Sequence, residues 1–519
     1  MEHVRQRPGF RGGRTGLGIL IKAEELLTHI TALASDKCAG RLPGDVGEEA
    51  TLAYFERVFA SLAAPFQVQR QRVEAIEIEL TSEVSFSAKG VSIPIAVPDQ
   101  CVAASEKQRK QVEVTDSDVV FVGYGIHAPE LGWDDFKGLD VAGKTMLVLC
   151  GDPIRPEFRA DELTYYGRWT YKYEEAGRRG AAAVFIIHET DRAGYAWDVV
   201  ARSFGSHDFA LKSANPDVRS LVDGWLTHEV AAQLLSADGH EYAQLKAAAQ
   251  TPDFKPVSLG LKANAKVTAT NLTDCVSHNF IATLRGADPE KADECVVYTA
   301  HWDHFGTNPK GVMSGAVDNG SGLAATLCVA KAFAELPERP PRTLMIMLPT
   351  LEEQNLLGSR YFVANPPAPY TVPNILAALN FEMLAPWGRS RTVSSVCKGH
   401  SSLDALFEDA AALQGRTIVG EPEPQKGYLY RSDHLPFMQA GVPALAVFFS
   451  AMDFMDERAK FIAFDYHKTS DKPKPDWDLS GAAADAALLF EVGHRILQTG
   501  YRATWHATSE FNPALSKRV

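Results

Sequence analysis

Apolar positions recur at helical spacing near the start of the chain, with Ala23, Leu26, Leu27, Ile30 and Leu33 followed by Ala50, Leu52, Phe55, Val58 and Phe59. This spacing predicts helix from about residue 24 to residue 63. From about 116 to 265 the texture changes to short β-rich runs between glycine-containing turns: Val119-Val120-Phe121-Val122, Thr145-Met146-Leu147-Val148-Leu149 and Ala183-Val184-Phe185-Ile186-Ile187. After about 266 helix and strand return. Strand-like Cys295-Val296-Val297-Tyr298, Leu344-Met345-Ile346-Met347-Leu348, Ile375 to Phe381 and Ala444 to Phe449 surround a helical stripe of Leu323, Leu327, Ala330 and Ala334. Strands alternating with helices predict an α/β unit, a mixed open sheet with helices on both faces, interrupted by a β-rich insert.

At 519 residues the chain exceeds the usual size of one domain, so two or more units are expected. A net charge of −13 argues against nucleic acid or anionic membrane as a partner held through bulk electrostatics. No stretch reads as a transmembrane span. The apolar run Gly16-Leu17-Gly18-Ile19-Leu20-Ile21 is shorter than a signal core of roughly 7–15 residues, which leaves localisation open. The seven cysteines, Cys38, Cys101, Cys150, Cys275, Cys295, Cys328 and Cys397, show no C-x-x-C spacing. They form neither a metal cluster nor a disulfide framework, and those in apolar segments read as small core residues.

Candidate chemistry lies where the apolar runs end. Cys295 to Tyr298 leads into Ala300-His301-Trp302-Asp303-His304, Leu344 to Leu348 leads into Glu352-Glu353, and Gly315-Ala316-Val317-Asp318-Asn319-Gly320-Ser321-Gly322 lies between them. Singly, a His-x-Asp is often a surface pair, a Glu-Glu a solvated face and an Asp-Asn-Gly-Ser-Gly run a turn into a helix. Their order behind predicted strands changes the reading, because open α/β sheets bind ligands at their carboxyl ends. Zinc takes imidazole and carboxylate ligands, and two ions roughly 3.5–4 Å apart need a bridging carboxylate. His301 and Asp318 supply a ligand and a bridge. Adjacent Glu352 and Glu353 diverge from a strand end, so one can bind metal while the other takes a proton. Asp303 shares a face with His301 on an extended chain, where it is expected to accept the second imidazole N–H.

With Glu352 to Ser359, Asn380-Phe381-Glu382-Met383, Arg431-Ser432-Asp433-His434-Leu435-Pro436-Phe437 and Tyr466-His467-Lys468-Thr469-Ser470-Asp471, these motifs resemble the co-catalytic di-zinc aminopeptidase family that includes glutamate carboxypeptidase II. The resemblance implies two Zn2+ ions per chain. Asp318 would bridge them, Glu353 and His467 would complete one site, and His301 and Glu382 the other. Glu352 would be the general base, and Tyr466 would polarise the substrate carbonyl. Glu382 departs from the aspartate usual in the family. Gly123-Tyr124-Gly125-Ile126, Trp133-Asp134-Asp135-Phe136 and Gly143-Lys144 resemble an inserted protease-associated domain. The expected organisation is a discontinuous zinc peptidase domain at 24–115 and 266–505, with the insert at 116–265. His434 and Asp433 are expected to support the pocket wall. The implied function is exopeptidase action on peptide substrates, as an aminopeptidase in the first place. Arg431 keeps a carboxypeptidase reading open, a dipeptidase of the same family is a further alternative, and a metal-free receptor or scaffold is the alternative of another class.

Overall fold

A computed structural model describes residues 12–14, 20–160, 162–204, 207–212, 219–449 and 451–516. It divides into two compact units: Met1–Val73, Val276–Pro422 and Arg431–Pro513 make the first, and Glu74–Cys275, Glu423–Tyr430 and Ala514–Val519 the second. Chain passes between them along two long strands, Gln67–Ala88 and Val257–Leu284. The second unit therefore starts ahead of the change in texture near 116, because Gln67–Ala88 pairs with Val91–Ile95 and with His207–Leu211. Residue 266 falls inside the strand Val257–Leu284, whose alternating burial along 259–267 marks a half-covered strand.

In the first unit the sheet order is Ala444–Phe448, Ile375–Glu382, Cys295–Thr299, Thr343–Leu348 and the end of Val257–Leu284. The first four strands run parallel and the fifth antiparallel, which makes the sheet mixed. Every residue of the four parallel strands is buried, so they read in sequence as unbroken apolar runs. Ala377, Leu379 and Phe381 point into a core built with helices Ala23–Leu33, Val46–Ala60, Gly320–Ala334, Leu403–Leu413 and Ser480–Thr499. The alternate residue Asn380 turns the other way, toward Ser432 and the first residue of helix His434–Gln439. Helices thus cover both faces.

The helical region expected over 24 to 63 is two helices, Ala23–Leu33 and Val46–Ala60. Left-handed Ala39, Gly40 and Arg41 break it, and Asp45 caps the second helix by accepting the Val46 N–H at 2.7 Å. At Gly40 a Cβ would lie 2.0 Å from the Gly306 carbonyl oxygen, so only glycine allows the close approach.

In the second unit Gln111–Phe121, Thr145–Leu149, Ala183–Ile187 and Val222–Leu226 lie side by side in that order and pair parallel. Helices such as Trp169–Arg178 and His228–Ala237 connect and follow them, so the insert is α/β rather than simply β-rich. Buried Asp135 accepts the N–H groups of Tyr124 and Ile126 and the indole N–H of Trp133, which explains the Gly-Tyr-Gly and aromatic-acid motifs as one turn network. All seven cysteines are buried free thiols. Among the described residues no helix is long and apolar enough to cross a membrane.

The helix Gly320–Ala334 is buried around nearly its whole circumference, and at Gly322 a Cβ would lie 2.6 Å from the Phe381 carbonyl oxygen and 2.2 Å from Asn319 Oδ1. Alanine gains about 1 kcal/mol over glycine in a helix interior. Forcing a methyl into this contact costs roughly 1–3 kcal/mol. Gly322→Ala is therefore expected to lower stability, read as an earlier denaturant midpoint; a later midpoint would show that the contact has slack.

Candidate metal centre

Strand ends deliver most of the site. His301 follows the strand Cys295–Thr299, Glu352 and Glu353 follow Thr343–Leu348, and Glu382 is the last residue of Ile375–Glu382. Asp318 precedes helix Gly320–Ala334, where Asp471 accepts the N–H groups of Val317 and Asp318 and fixes the turn. His467 comes from the segment after helix Met455–Phe464 and sits in the left-handed region, at φ 54°. A histidine held there is one that its surroundings over-determine.

These side chains converge on Asp318. Its Oδ1 lies 3.4 Å from His301 Nε2 and its Oδ2 lies 3.1 Å from His467 Nε2, so one carboxylate faces two imidazoles with different oxygens. His301 Nε2 is also 3.3 Å from Glu382 Oε1 and 3.7 Å from Glu352 Oε2. His467 Nε2 is 3.3 Å from Glu353 Oε2. Donor atoms of His301, Asp318 and Glu353, and of His301, Glu352 and Glu382, lie within 4.8 Å of one another. His467 Nε2 is a buried atom that faces both carboxylates without meeting the geometry of a hydrogen bond to either. Tyr466 stacks on His467, with ring centres 3.8 Å apart.

Asp303 acts differently from expectation. His301 Nδ1 donates to the Asp303 main-chain carbonyl at 3.1 Å, while the Asp303 carboxylate is 3.7 Å away. That carboxylate instead accepts the N–H of Glu352 at 3.1 Å and of Glu353 at 3.3 Å. One residue thereby sets both the ring orientation of His301 and the exit path of the two glutamates.

Sequence reasoning gave no role to three residues that touch this group. His304 Nδ1 pairs with Glu353 Oε1 at 2.7 Å, leaving Oε2 facing His467. Ser432 donates to Glu382 Oε2 at 2.5 Å, and Asn319 Nδ2 donates to the same oxygen at 3.2 Å. All three stand within the quoted motifs, and the spacing His-x-x-His at 301 and 304 was the available signal. His434 Nδ1 is 3.4 Å from Asn380 Nδ2, away from the donor atoms.

Charge separates the adjacent glutamates. Burial, with Glu382 alongside, pushes Glu352 well above the usual carboxylate range despite His301. Glu353 is buried as well and faces Asp318, yet His467 and His304 hold it down at about 2. Two neighbouring carboxylates with separated proton affinities are the pattern of an acid–base group beside a permanently ionised one. Burial opposes protonation of His467, but Glu353 and Asp318 outweigh it and hold the imidazole at about 10. Burial likewise pushes Asp433 up to about 7.

Residues 279–490 match the model of peptidase family M28. The leupeptin-inactivating enzyme 1 of Streptomyces exfoliatus is 30% identical over 208 residues, covering 40% of this chain and 41% of that protein. A probable zinc metalloprotease of Pyrenophora tritici-repentis is 30% identical over 149 residues, 27% of this chain and 32% of its own. The aligned stretches thus span less than half the length of these curated relatives. Among solved structures, an aminopeptidase from Aneurinibacillus sp. strain AM-1 superposes with a TM-score of 0.51 at 19% identity, covering 92% of this chain and 94% of that one. That similarity is one of fold.

The raised pKa of His467 makes the metal-free protein sensitive to alkali. An imidazole at about 10 when folded and 6.5 in its ordinary state contributes stability that is complete below pH 6.5 and is lost as pH rises toward 10. With chelator present, denaturant midpoints are expected to fall between pH 6.5 and pH 10, and the fall should be shallower in His467→Gln. Equal slopes in the two proteins would remove His467 as the cause.

Proposed function

We propose that this chain, whose residues 279–490 match the model of peptidase family M28, is a zinc-dependent exopeptidase that releases N-terminal residues from peptides. The observation that carries this reading is the position of Asp318, whose two oxygens face His301 and His467 at 3.4 and 3.1 Å. A carboxylate shared in this way, flanked by further glutamates, is the donor set of a two-ion site. We assign His301, Asp318 and Glu382 to one zinc and Asp318, Glu353 and His467 to the other. When bound there, the pair of ions supplies Lewis acidity toward the scissile carbonyl and the attacking water.

The protein's own groups carry out the rest. Glu352, the proton-avid member of its pair, takes the proton of the attacking water and returns it to the leaving amine nitrogen. Asp303 holds that carboxylate on course through the Glu352 N–H. Tyr466, fixed by stacking on His467, donates its hydroxyl to the oxyanion as it develops. The choice of substrate end follows from charge. Buried Asp303, Asp318, Glu352, Glu382, Asp433 and Asp471, with Glu353 beside them, make a strongly acidic surround whose electrostatic complement is the free α-ammonium of a peptide.

Protein purified without chelator is expected to contain about two zinc ions per chain, to lose hydrolysis with chelator and to recover it with added zinc or cobalt. A library of peptides blocked at one end or the other reads the polarity, and cleavage only of amine-blocked peptides would overturn the aminopeptidase reading. The two glutamates are expected to fail in opposite ways. Glu352→Gln should keep both ions while turnover falls by roughly 10²–10⁴. Glu353→Gln should lose metal first, with activity following. Titration and kinetics on both variants decide, and loss of an ion from the Glu352 variant alone would reverse the assignment.

A further inference from the structure

Arg41 is completely buried in the first unit, yet among the described residues no carboxylate lies within hydrogen-bonding reach of its guanidinium. Its donors go to main-chain carbonyls: Nε to Trp302 at 2.8 Å, Nη1 to Leu33 at 3.1 Å and Ser314 at 2.7 Å, and Nη2 to Gly315 at 2.9 Å and Asp318 at 3.4 Å. Its own carbonyl accepts the His304 N–H at 3.0 Å. All of these partners but Leu33 sit on segments that carry a proposed metal ligand or hold one in place. Trp302 is next to His301, Ser314 to Asp318 is the loop that ends in the shared carboxylate, and His304 holds Glu353. Gly315 makes room for the fork, since a Cβ there would lie 2.6 Å from Arg41 Nη2.

Burying an unpaired cation is costly, and an apolar residue would fill the same core space at less expense. What a guanidinium adds is a rigid planar set of five N–H donors, which can splay over several carbonyls at once where a lysine ammonium offers three donors from one point. Burial lowers its proton affinity, and the nearby Cys38, Asp318, Asp471 and Asp303 work against that shift.

We propose that Arg41 is the positioning residue of the metal centre. It clamps the His301 segment and the Asp318 loop at fixed separation, so that the ligands are assembled before metal arrives. This rests on the two-ion reading given above. Substitution should therefore weaken metal binding through geometry, without removing any ligand.

The test uses the full chain, wild type and the variants Arg41→Met and Arg41→Lys, stripped of metal and titrated with zinc against a chromophoric chelator. Cobalt-loaded samples are compared by visible absorption, which reports coordination geometry independently of turnover. Both variants are expected to bind zinc about 10–100-fold more weakly than wild type, the usual cost of losing a group that orients ligands. Their cobalt bands should differ from those of wild type, with Arg41→Lys recovering only part of the loss. Arg416→Lys serves as control: this buried guanidinium bonds Ser390 and Asp485, and its replacement should lower stability while leaving zinc affinity and cobalt bands unchanged. Affinity within twofold of wild type and an unchanged cobalt spectrum in the Arg41 variants would overturn the proposal. Should Arg41→Met fail to fold, Arg41→Lys decides by the same criteria. Wild type that binds no metal would sink the peptidase reading and this inference with it, a result visible in the wild-type arm alone.

Discussion

Mutual repulsion among carboxylates packed around Asp318 is the constraint that the first unit is organised to withstand. Asp303, Asp318, Glu352, Glu382, Asp433 and Asp471 are all buried, and Glu353 is nearly so. In a medium of low dielectric such a group cannot remain ionised without compensation. The compensation is distributed among groups of different kinds. Main-chain N–H groups satisfy Asp303 and Asp471, the imidazoles of His301 and His467 face Asp318, and hydroxyl and amide donors satisfy one oxygen of Glu382. Where it runs short, proton affinity rises, as at Glu352 and Asp433, both pushed up by burial. Two divalent cations would complete the balance.

That constraint explains why the fold is so closely packed around the site. Glutamates reach the centre on fixed paths because parallel strands end there and Asp303 receives both of their N–H groups. The strand ending in Glu382 is held against helix Gly320–Ala334 through Gly322, where no side chain intervenes. Close contact of this kind turns a small displacement of one strand into a displacement of its ligand.

Much of this was legible in the sequence, for physical reasons that differ by residue. Fully buried parallel strands leave unbroken apolar runs, so their ends, and with them His301, Glu352, Glu353 and Glu382, could be located from patterning. The convergence of His467 with Asp318 depends on contacts across more than a hundred residues, and it was reachable only through the resemblance of motifs. Local backbone geometry was the least legible. The break at Ala39 to Arg41 depends on packing against Gly306 and on a guanidinium that reaches Trp302 and Asp318, neither of which periodicity can register. Asp303 shows the same limit at finer scale: period-two reasoning placed it on the face of His301, but the carboxylate turned to two N–H groups that become available only when the neighbouring strand ends beside it.

Glu382 is where sequence and structure together say most. A glutamate where the resemblance to di-zinc aminopeptidases leads one to expect aspartate raises the question of where the extra methylene goes. The strand does not supply the answer by ending early, since Glu382 is paired with Phe448 in register to its last residue. The side chain is instead drawn to one side: Oε2 is tied to Ser432 and Asn319, and Oε1 alone remains toward His301. With one oxygen committed to two donors, the carboxylate can offer a cation a single oxygen, while burial raises its proton affinity against the opposing pull of His301 and Ser432. The longer arm is therefore matched to its hydroxyl partner, and the departure at 382 and the serine at 432 are best understood as one feature of this centre.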